Sequence, residues 1–555
     1  MKIILLFFIT YLITFSGNAQ IGTELQLEID GLFSKWDKKD SPGAALGVVQ
    51  NGKLIYSKGY GMADLENKVE ISPDSKFLLP STTKQFTAAS IALLAIEGKL
   101  DLNDDIREYI PEIPDYGVKI TIRHLTHHLS GLRDYLIIMD LAGKSFEEHF
   151  TNQDGIDILS IQKSLNFYPG SRHLYSNSGY MLLAEIVSRV SGMTIREFAF
   201  NRIFKPLEMT NTFYNDNQHE KIEGKVISYK KANGRTYESF DQKFEAHGDG
   251  NLITTIYDLY QWDKNFYHKK VGGDHLIDLM HTNGLLNNGD TVQYAFGLNQ
   301  GLYKGMKVVW HPGGMLGFES QYIRFPNHNL SIIILSNIEG FNPLAMSLEI
   351  ADVLLRESIN KSEAQSLILE EDIPNKVELD VEELEKFVSL YWNHEGDYSR
   401  RIYIKKGKLY YARSSGDESP LIPISNNKFL MVNVSSNVTV KFDVIDDNTN
   451  KMFVSENGGT ANELITYKPP KYNSTELTKF TGFYHSEEIN CKYDIKNKNG
   501  RLRLYRNGEN LGKMIPIMPN VFQLKKYMTF KFDVNNSSQF SLNVDWVKGI
   551  LFEKL

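Results

Sequence analysis

The chain has 555 residues, of which 42% are apolar and 23% are charged, which is typical of folded domains and excludes a mainly disordered chain. A net charge of −7 without long runs of lysine or arginine argues against nucleic acid or an anionic membrane as the main partner. The length predicts several domains. Its single cysteine, Cys491, excludes an internal disulfide, so packed cores must supply the stability.

The first 19 residues have the pattern of an export signal. Lys2 supplies a positive end, residues 3–15 form an apolar stretch, and small residues end at Ala19, before the expected cut. The stretch is shorter than the roughly 20 residues that span a bilayer, which favours a cleaved signal over a membrane anchor. We therefore expect an exported protein, periplasmic or secreted, with no membrane span after cleavage.

Residues 20–360 alternate strand and helix patterns. The predicted elements are a hairpin with strands at 44–50 and 53–56, helices at 81–98 and 180–190, and strands at 307–310, 321–325 and 331–335. Strands at both ends with helices between them predict an α+β domain. In such a domain we expect the first and last strands to share one antiparallel sheet.

The first chemical motif is Ser81-Thr82-Thr83-Lys84, at the start of an apolar helix. Positions three apart lie on one face of a helix, so Lys84 is expected beside Ser81. Burial favours a neutral lysine, which can accept the serine proton, and the helix N-terminus favours a developing oxyanion. The spacing alone is a weak signal, because it recurs at 160/163, 228/231, 358/361 and 425/428. Only Ser81 begins a long apolar helix.

The second motif is Tyr175-Ser176-Asn177, before another apolar helix. A tyrosine exchanges a proton more readily when a cation such as Lys84 lowers its pKa. Asn177 is placed to bond a substrate carbonyl and Lys84. The structural alternative is a helix N-terminus with an incidental aromatic residue, and a second Tyr-x-Asn occurs at Tyr391.

The third motif, His311-Pro312-Gly313-Gly314, follows a predicted strand. Glycines let the backbone approach a ligand closely, and the amide of Gly314 is expected to complete an oxyanion hole with that of Ser81. His311 would add a polar or partly cationic group. The structural alternative is a glycine-rich turn with a surface histidine.

An internal repeat follows a predicted linker at 361–378. Residues 383–387 recur as 476–480, and further matches keep the same offset of 93 residues. Short alternating strands broken by Asn, Gly and Asp predict two small antiparallel barrels, 379–469 and 470–555. Bulky side chains are expected to fill the first barrel: Phe387, Tyr391, Phe429 and Phe442.

Together, the three motifs and their order resemble the penicillin-recognising serine enzymes. The resemblance is closest to the branch with class C β-lactamases, family S12 DD-peptidases, D-aminopeptidases and related esterases. Segments 122–132, 248–252 and 322–337 are also similar, so the match covers roughly residues 25–355. It implies a β-lactamase-like domain with an antiparallel sheet and a helical subdomain. The two barrels resemble the lipocalin-like barrels of D-aminopeptidases.

The resemblance also implies roles for the motif residues. Ser81 would be the acylated nucleophile, Lys84 and Tyr175 would share the base role, and Asn177 would contact substrate. The strand with His311, Gly313 and Gly314 would bind substrate and the oxyanion. No cofactor or metal is expected. Histidine is a weaker cation than the lysine usual in the third motif, which favours peptides or esters over β-lactams.

Several functions stay open at this point. A peptidase acting on small or D-amino-acid-containing peptides is the first expectation, ahead of an esterase and a β-lactamase. A different class is a catalytically silent protein that binds peptidoglycan or a partner. The expected ligand is a small peptide, an ester or a peptidoglycan-derived molecule, and the sequence leaves the oligomeric state open.

Overall fold

A computed structural model describes residues 21–359, 370, 373 and 376–555, apart from 233, 235, 415, 435, 447, 448, 526, 535 and 536. The predicted signal sequence, residues 1–19, lies outside the described residues, as does most of the predicted linker. None of the helices in the described part of the chain is long and apolar enough to cross a membrane.

The N-terminal part mixes helices with one large sheet and several small ones. The helices are α1 (Thr23–Phe33), α2 (Lys84–Ile96), α3 (Ile122–Thr126), α4 (Tyr135–Leu141), α5 (Asn152–Ser160), α6 (Asn177–Ser191), α7 (Ile195–Ala199), α8 (Ile256–His268), α9 (Gly273–Met280) and α10 (Pro343–Leu354). The strands are β1 (Ala44–Gln50), β2 (Lys53–Tyr60), β3 (Met62–Asp64), β4 (Val69–Glu70), β5 (Phe77–Leu79), β6 (Phe213–Tyr214), β7 (Tyr229–Ala232), β8 (Thr236–Ser239), β9 (Leu252–Thr254), β10 (Asn299–Tyr303), β11 (Met306–Met315), β12 (Phe318–Phe325) and β13 (Leu330–Ser336).

The large sheet has the order β10-β11-β12-β13-β1-β2, and β1 pairs antiparallel with β13 along its whole length. This confirms that the first and last strands of the α+β domain share a sheet. Side chains alternate across a strand. Leu46 and Val48 therefore pack with α1 and α10 on one face, while Ala45 and Val49 belong to the core cluster that includes α2 and α8.

Helix α2 is buried on nearly all sides, which explains why its sequence lacks a polar face. A short 3₁₀ turn, Ser81–Thr83, leads into it. The turn lies against β11 and β12, so the start of this central helix faces the glycines of the third motif.

Strand β11 is longer than the sequence predicted. It does not end in a glycine turn after residue 310 but continues to Met315, with Gly313 paired to Ser320 and Gly314 paired to Glu319 of β12. Strand β10 stops pairing at residue 310, which leaves the outer edge of the glycine segment without a strand neighbour among the described residues.

The C-terminal part forms the two expected barrels. The first contains α11 (Val381–Glu385), β14 (Ser389–Asn393), β15 (Tyr398–Lys405), β16 (Lys408–Ser414), β17 (Asp417–Pro423), β18 (Lys428–Met431), β19 (Val438–Asp446), β20 (Thr449–Glu456) and β21 (Asn462–Tyr467). The second contains α12 (Ser474–Thr478), β22 (Gly482–Ser486), β23 (Cys491–Asn497), β24 (Leu502–Arg506), β25 (Glu509–Lys513), β26 (Ile515–Met518), β27 (Val521–Leu524), β28 (Met528–Phe532), β29 (Gln539–Val544) and β30 (Val547–Lys554).

Strands β14–β21 close into an eight-stranded barrel, and β22–β30 form a nine-stranded sheet that is nearly closed. Phe387, Tyr391, Phe429 and Phe442 are buried inside the first barrel, so the prediction that it is filled by bulky side chains is confirmed. Cys491 is buried in the core of the second barrel, where it acts as a packing residue.

The second barrel docks on the N-terminal part around α4. Ile138 and Leu141 of this helix join the hydrophobic cluster of the barrel. Beside them, Arg133 donates to the Glu488 carboxylate at 2.5 Å and to the carbonyl oxygens of Lys548 and Gly549 at 2.9 and 3.1 Å. This docking carries the β29–β30 turn to the pocket beside Ser81.

Candidate active site

Ser81 lies where α2 begins, directly against the glycine segment of β11. A side chain at position 313 would come within 2.8 Å of the Ser81 amide nitrogen, so only glycine permits this approach. Thr82 fastens the two elements: its hydroxyl bonds the carbonyl oxygen of His311 at 3.1 Å and the hydroxyl of Ser320 at 2.9 Å. The serine is thereby held at the edge of the sheet.

Lys84 is completely buried behind the serine. Its Nζ donates to Ser81 Oγ at 3.2 Å, to Asn177 Oδ1 at 2.8 Å and to the carbonyl oxygen of Asp249 at 2.6 Å. These three bonds use all the protons of an ammonium group. Burial lowers the pKa of Lys84 to about 8, although Asp249 and Asp134 act in the opposite direction. A neutral Lys84 is therefore accessible near neutral pH.

Asn177, the first residue of α6, is oriented by a buried carboxylate. Asp134 accepts from the backbone amide of Asn177 at 2.6 Å and from its Nδ2 at 3.0 Å, which turns Oδ1 towards Lys84. The same carboxylate caps α4 by accepting from the amides of Leu136 and Ile137. Asp134 thus links the helix that carries the barrel contact to the side chain that holds Lys84.

Tyr175 lines the same cavity wall as Ser81, and Lys84 Nζ lies 4.8 Å from the centre of its ring. The expectation that a nearby cation lowers its pKa is wrong. Burial raises the pKa of Tyr175 well above its usual value, and the negative charges of Asp249 and Asp134 raise it further. Tyr175 is a protonated phenol at neutral pH and can donate a proton.

His311 is buried rather than exposed, and the structure does not support its expected cationic character. Its Nδ1 donates to the carbonyl oxygen of Pro312 at 2.6 Å, because a carbonyl only accepts, and Nε2 therefore accepts from the Tyr294 hydroxyl at 3.0 Å. Burial, with repulsion from Lys84, lowers the pKa of His311 to about 3. The imidazole is therefore neutral, and both of its nitrogens are engaged within the protein.

A cavity of about 1140 Å³ opens in front of Ser81. The predicted residues Ser81, Tyr175, Asn177, His311, Gly313 and Gly314 all line it, and Lys84 lies just beneath. The second barrel supplies part of the opposite wall. Trp546, in the β29–β30 turn, places its ring 5.0 Å from that of Tyr175, and its backbone carbonyl accepts from Asn166 at 2.9 Å.

Four residues that line this site were not predicted as site residues from the sequence: Asp134, Asp249, Glu319 and Trp546. Asp249 bonds the Tyr135 hydroxyl, and burial raises its pKa to about 6. The glycine turn around Asp249 was visible in the sequence, but its carboxylate carried no motif. Trp546 lies more than 360 residues from Tyr175 in the chain, and no local pattern connects the two.

Comparison of the sequence with known proteins identifies the family to which the chain belongs. The family model described as Beta-lactamase matches residues 29–356. Penicillin-binding protein 4* of Bacillus subtilis is 28% identical over 461 residues, covering 79% of this chain and 98% of that protein. D-aminopeptidase of Gluconobacter oxydans is 24% identical over 296 residues, covering 53% of this chain and 56% of that enzyme.

Two solved structures have a similar fold. The octameric penicillin-binding protein homologue from Pyrococcus abyssi has a TM-score of 0.53 at 21% identity, covering 80% of this chain and 99% of that one. The D-amino acid amidase from Ochrobactrum anthropi has a TM-score of 0.52 at 22% identity, covering 60% of this chain and 100% of that one. At these identities the likeness concerns the fold alone.

Proposed function

This chain belongs to the β-lactamase family, a family of serine hydrolases, and from that premise we propose that it cleaves small peptides, including D-amino-acid-containing peptides, through an acyl-enzyme on Ser81. The observation that carries the proposal is the position of Lys84 Nζ, 3.2 Å from Ser81 Oγ and held by Asn177 and the Asp249 carbonyl. A buried lysine in this position is the base that a serine nucleophile needs.

In the first step, neutral Lys84 takes the proton of Ser81, and Oγ attacks the carbonyl carbon of the substrate. The negative charge that forms on the carbonyl oxygen is stabilised by the amide of Ser81, in the turn that leads into α2, and by the amide of Gly314 on β11. Tyr175 gives its proton to the leaving nitrogen and regains one from Lys84, so the peptide bond breaks with no net change in protonation of the site.

In the second step, water replaces the leaving group. Lys84, neutral again, takes a proton from the water, the resulting hydroxide attacks the ester carbon, and Ser81 regains its proton as the acyl group leaves. Asn177 holds Lys84 in place during both steps and bonds the substrate backbone.

The charges of the pocket support an amide substrate without a free carboxylate near the scissile bond. His311 is neutral, and neither lysine nor arginine is among the described residues that line the cavity. A carboxylate-bearing β-lactam would find no cation at the cavity surface to bind it. D-aminopeptidases among the relatives, by their name, act at a free amino end, which suits a cavity lined by carboxylates and by no lysine or arginine among the described residues.

Labelling with a fluorophosphonate followed by mass mapping tests the nucleophile. We expect Ser81 to be labelled in the parent and no label in Ser81→Ala. Ser160→Ala is the matched control, since Ser160 also precedes a lysine by three positions yet Lys163 bonds Glu487 instead. Equal labelling of the parent and Ser81→Ala contradicts the proposal, and an absence of label in the parent favours the silent binding protein.

A substrate screen separates the remaining activities. Peptide p-nitroanilides in D and L forms report the proposed peptidase, p-nitrophenyl esters report an esterase and nitrocefin reports a β-lactamase. We expect the highest kcat/KM on an amide substrate. A higher value on nitrocefin overturns the substrate assignment while leaving the acyl-enzyme intact.

We also propose that the protein is exported, on the basis of the signal pattern at residues 1–19. Expression of the full chain in a bacterium, fractionation and N-terminal sequencing test this. Export predicts a mature chain outside the cytoplasm that begins at Gln20, and a cytoplasmic chain that starts at Met1 contradicts it.

A further inference from the structure

The cavity in front of Ser81 is lined by carboxylates of both the N-terminal part and the second barrel. These are Asp134, Asp140, Asp249, Glu319 and Asp545. No lysine or arginine of the described chain joins them at the cavity surface. A pocket of this composition favours a ligand that carries positive charge.

Four of the five carboxylates are already engaged or lie in water. Asp134 holds Asn177 and caps α4, and Asp249 bonds Tyr135. Asp140 and Asp545 are exposed, and Asp545 has the cation of Lys548 nearby. Charges in water are screened, so these exposed groups bind a substrate weakly.

Glu319 differs from the other four. It lies on β12, half-buried, with the Gly340 amide near its carboxylate. Among the described residues it has no ion-pair partner, while Glu339 adds a like charge nearby. Burial raises the pKa of Glu319 to about 7, so the carboxylate is fully ionised only above neutral pH, and a cation bound beside it would stabilise the ionised form.

The surroundings of Glu319 form a distinct end of the cavity. A side chain at position 314 would meet the Glu319 carboxylate at 2.8 Å, so glycine at 314 lets this carboxylate lie against the strand at the cavity wall. The other lining residues at this end are mostly apolar: Leu316, Phe341, Pro343 and Leu344. An apolar stem that ends in a positive group fits such a surface.

The strand geometry separates this end from the nucleophile. Side chains alternate across β11 and β12, so Gly313 and Ser320 face Ser81 whereas Gly314 and Glu319 face the other side of the sheet. The cavity passes around the strand edge that β10 leaves open. A cation that reaches Glu319 must therefore sit on a side chain, away from the scissile bond.

We propose that Glu319 forms a subsite for the side-chain ammonium group of a lysine-like residue in the peptide substrate. The inference rests on the proposed function and adds a side-chain preference to it. The apolar stem of the residue packs on Pro343 and Leu344, and its ammonium group pairs with the carboxylate. The peptide backbone stays at the glycine edge of β11, beside Ser81.

Protection of Ser81 against the fluorophosphonate tests the subsite independently of turnover. Alanine peptides of three or four residues, in D and L forms, carry one lysine at each position in turn, and a matched set carries norleucine. Labelling without peptide reports the proposed function alone, and the slowing of labelling by each peptide reports binding. If the parent is labelled but lysine gives no advantage at any position, the subsite is wrong and the nucleophile stands.

We expect lysine to protect at least about tenfold better than norleucine at one position, as a charge-assisted bond of about 1.5 kcal/mol or more requires. In Glu319→Gln this ratio should fall to near one. Asp545→Asn removes the same charge from the opposite wall and should keep the ratio. Glu319→Lys should reverse the preference towards a glutamate-containing peptide. The assignment is overturned if the ratio of lysine to norleucine protection is unchanged in Glu319→Gln. It is also overturned if this ratio is lost in Asp545→Asn and kept in Glu319→Gln.

Discussion

The two barrels arise from one sequence repeat and are built alike, but they differ in their contacts with the N-terminal part. Glu395 and Glu488 are equivalent, 93 residues apart, and each pairs with an arginine of the N-terminal part. The pair of Glu395 with Arg172 lies at the surface, with side chains 64% and 44% exposed. The pair of Glu488 with Arg133 is buried, at 4% and 0%. The equivalent glutamates therefore both form ion pairs, but only the pair made by the second barrel is buried.

The equivalent turns differ in the same way. In the first barrel, β20 and β21 are joined by the glycine-containing segment 457–461, and none of its residues lines the cavity within the described chain. In the second, β29 and β30 are joined by Asp545 and Trp546, both of which line it. A barrel architecture therefore does not by itself bring a barrel to the cavity. The second barrel reaches it through the apolar contact of Ile138 and Leu141, a buried ion pair and one aromatic turn.

The largest expected effect comes from neutralising the two equivalent glutamates. Glu488→Gln leaves the Arg133 charge buried without its partner and should cost about 3–5 kcal/mol of stability. Glu395→Gln removes an exposed pair and should cost at most about 1 kcal/mol. Thermal and urea unfolding of both variants measures the difference. Similar losses in the two variants would break the distinction between a buried and an exposed contact.

A smaller effect concerns the pH dependence of the reaction. Catalysis needs neutral Lys84, whose pKa of about 8 implies that kcat/KM falls about tenfold per pH unit below that value and levels off above it. Trp546→Ala exposes Tyr175 and admits water near Lys84. Because burial is the main cause of the lowered pKa, we expect the rising limb to move to higher pH.

The matched control for this profile is Thr460→Ala, in the equivalent turn of the first barrel. Its pH profile should coincide with that of the parent. If kcat/KM rises at the same pH in Trp546→Ala as in the parent, the second barrel does not control the hydration of Lys84.

The smallest effect should be equal in the two barrels. Tyr391 and Tyr484 are equivalent buried residues whose hydroxyls bond the carbonyl oxygens of Phe387 and Phe480 at 2.9 and 3.1 Å, and the Tyr484 hydroxyl shares its proton with the carbonyl oxygen of Ser537, also at 3.1 Å. Each Tyr→Phe change should cost about 1 kcal/mol and leave kcat/KM unchanged. Differential scanning calorimetry and steady-state kinetics check this. A kinetic effect of either variant would mean that a barrel core, and not only its turn, influences the site.

Much of the fold was readable from local patterns. Period-two alternation and turn residues marked β1, β2, β12 and β13, and the pairing of the first with the last followed from the order of elements. The repeat was visible because both copies keep bulky residues at equivalent interior positions. Strand β11 was predicted to end at residue 310, five residues too early. Residues 311–315 stay extended because they pair with β12, and their own composition does not indicate a strand.

The candidate site was predicted in its members but not in its electrostatics. Ser81, Tyr175 and Gly313 meet as their order suggested, with Lys84 beneath. The pKa of Tyr175 moves in the direction opposite to the prediction, and His311 is neutral. Burial decides both, and the depth of a side chain is a property of the packed molecule.

By itself, the sequence determined the element types, the repeat and the three motifs, because these depend on residues close together in the chain. Only the tertiary structure decided that Asp134 orients Asn177, that Glu319 faces an open cavity end and that Trp546 covers Tyr175. Such contacts join segments up to several hundred residues apart. They arise from how helices, sheet and barrel pack to bury their apolar surfaces, and no short pattern encodes that arrangement.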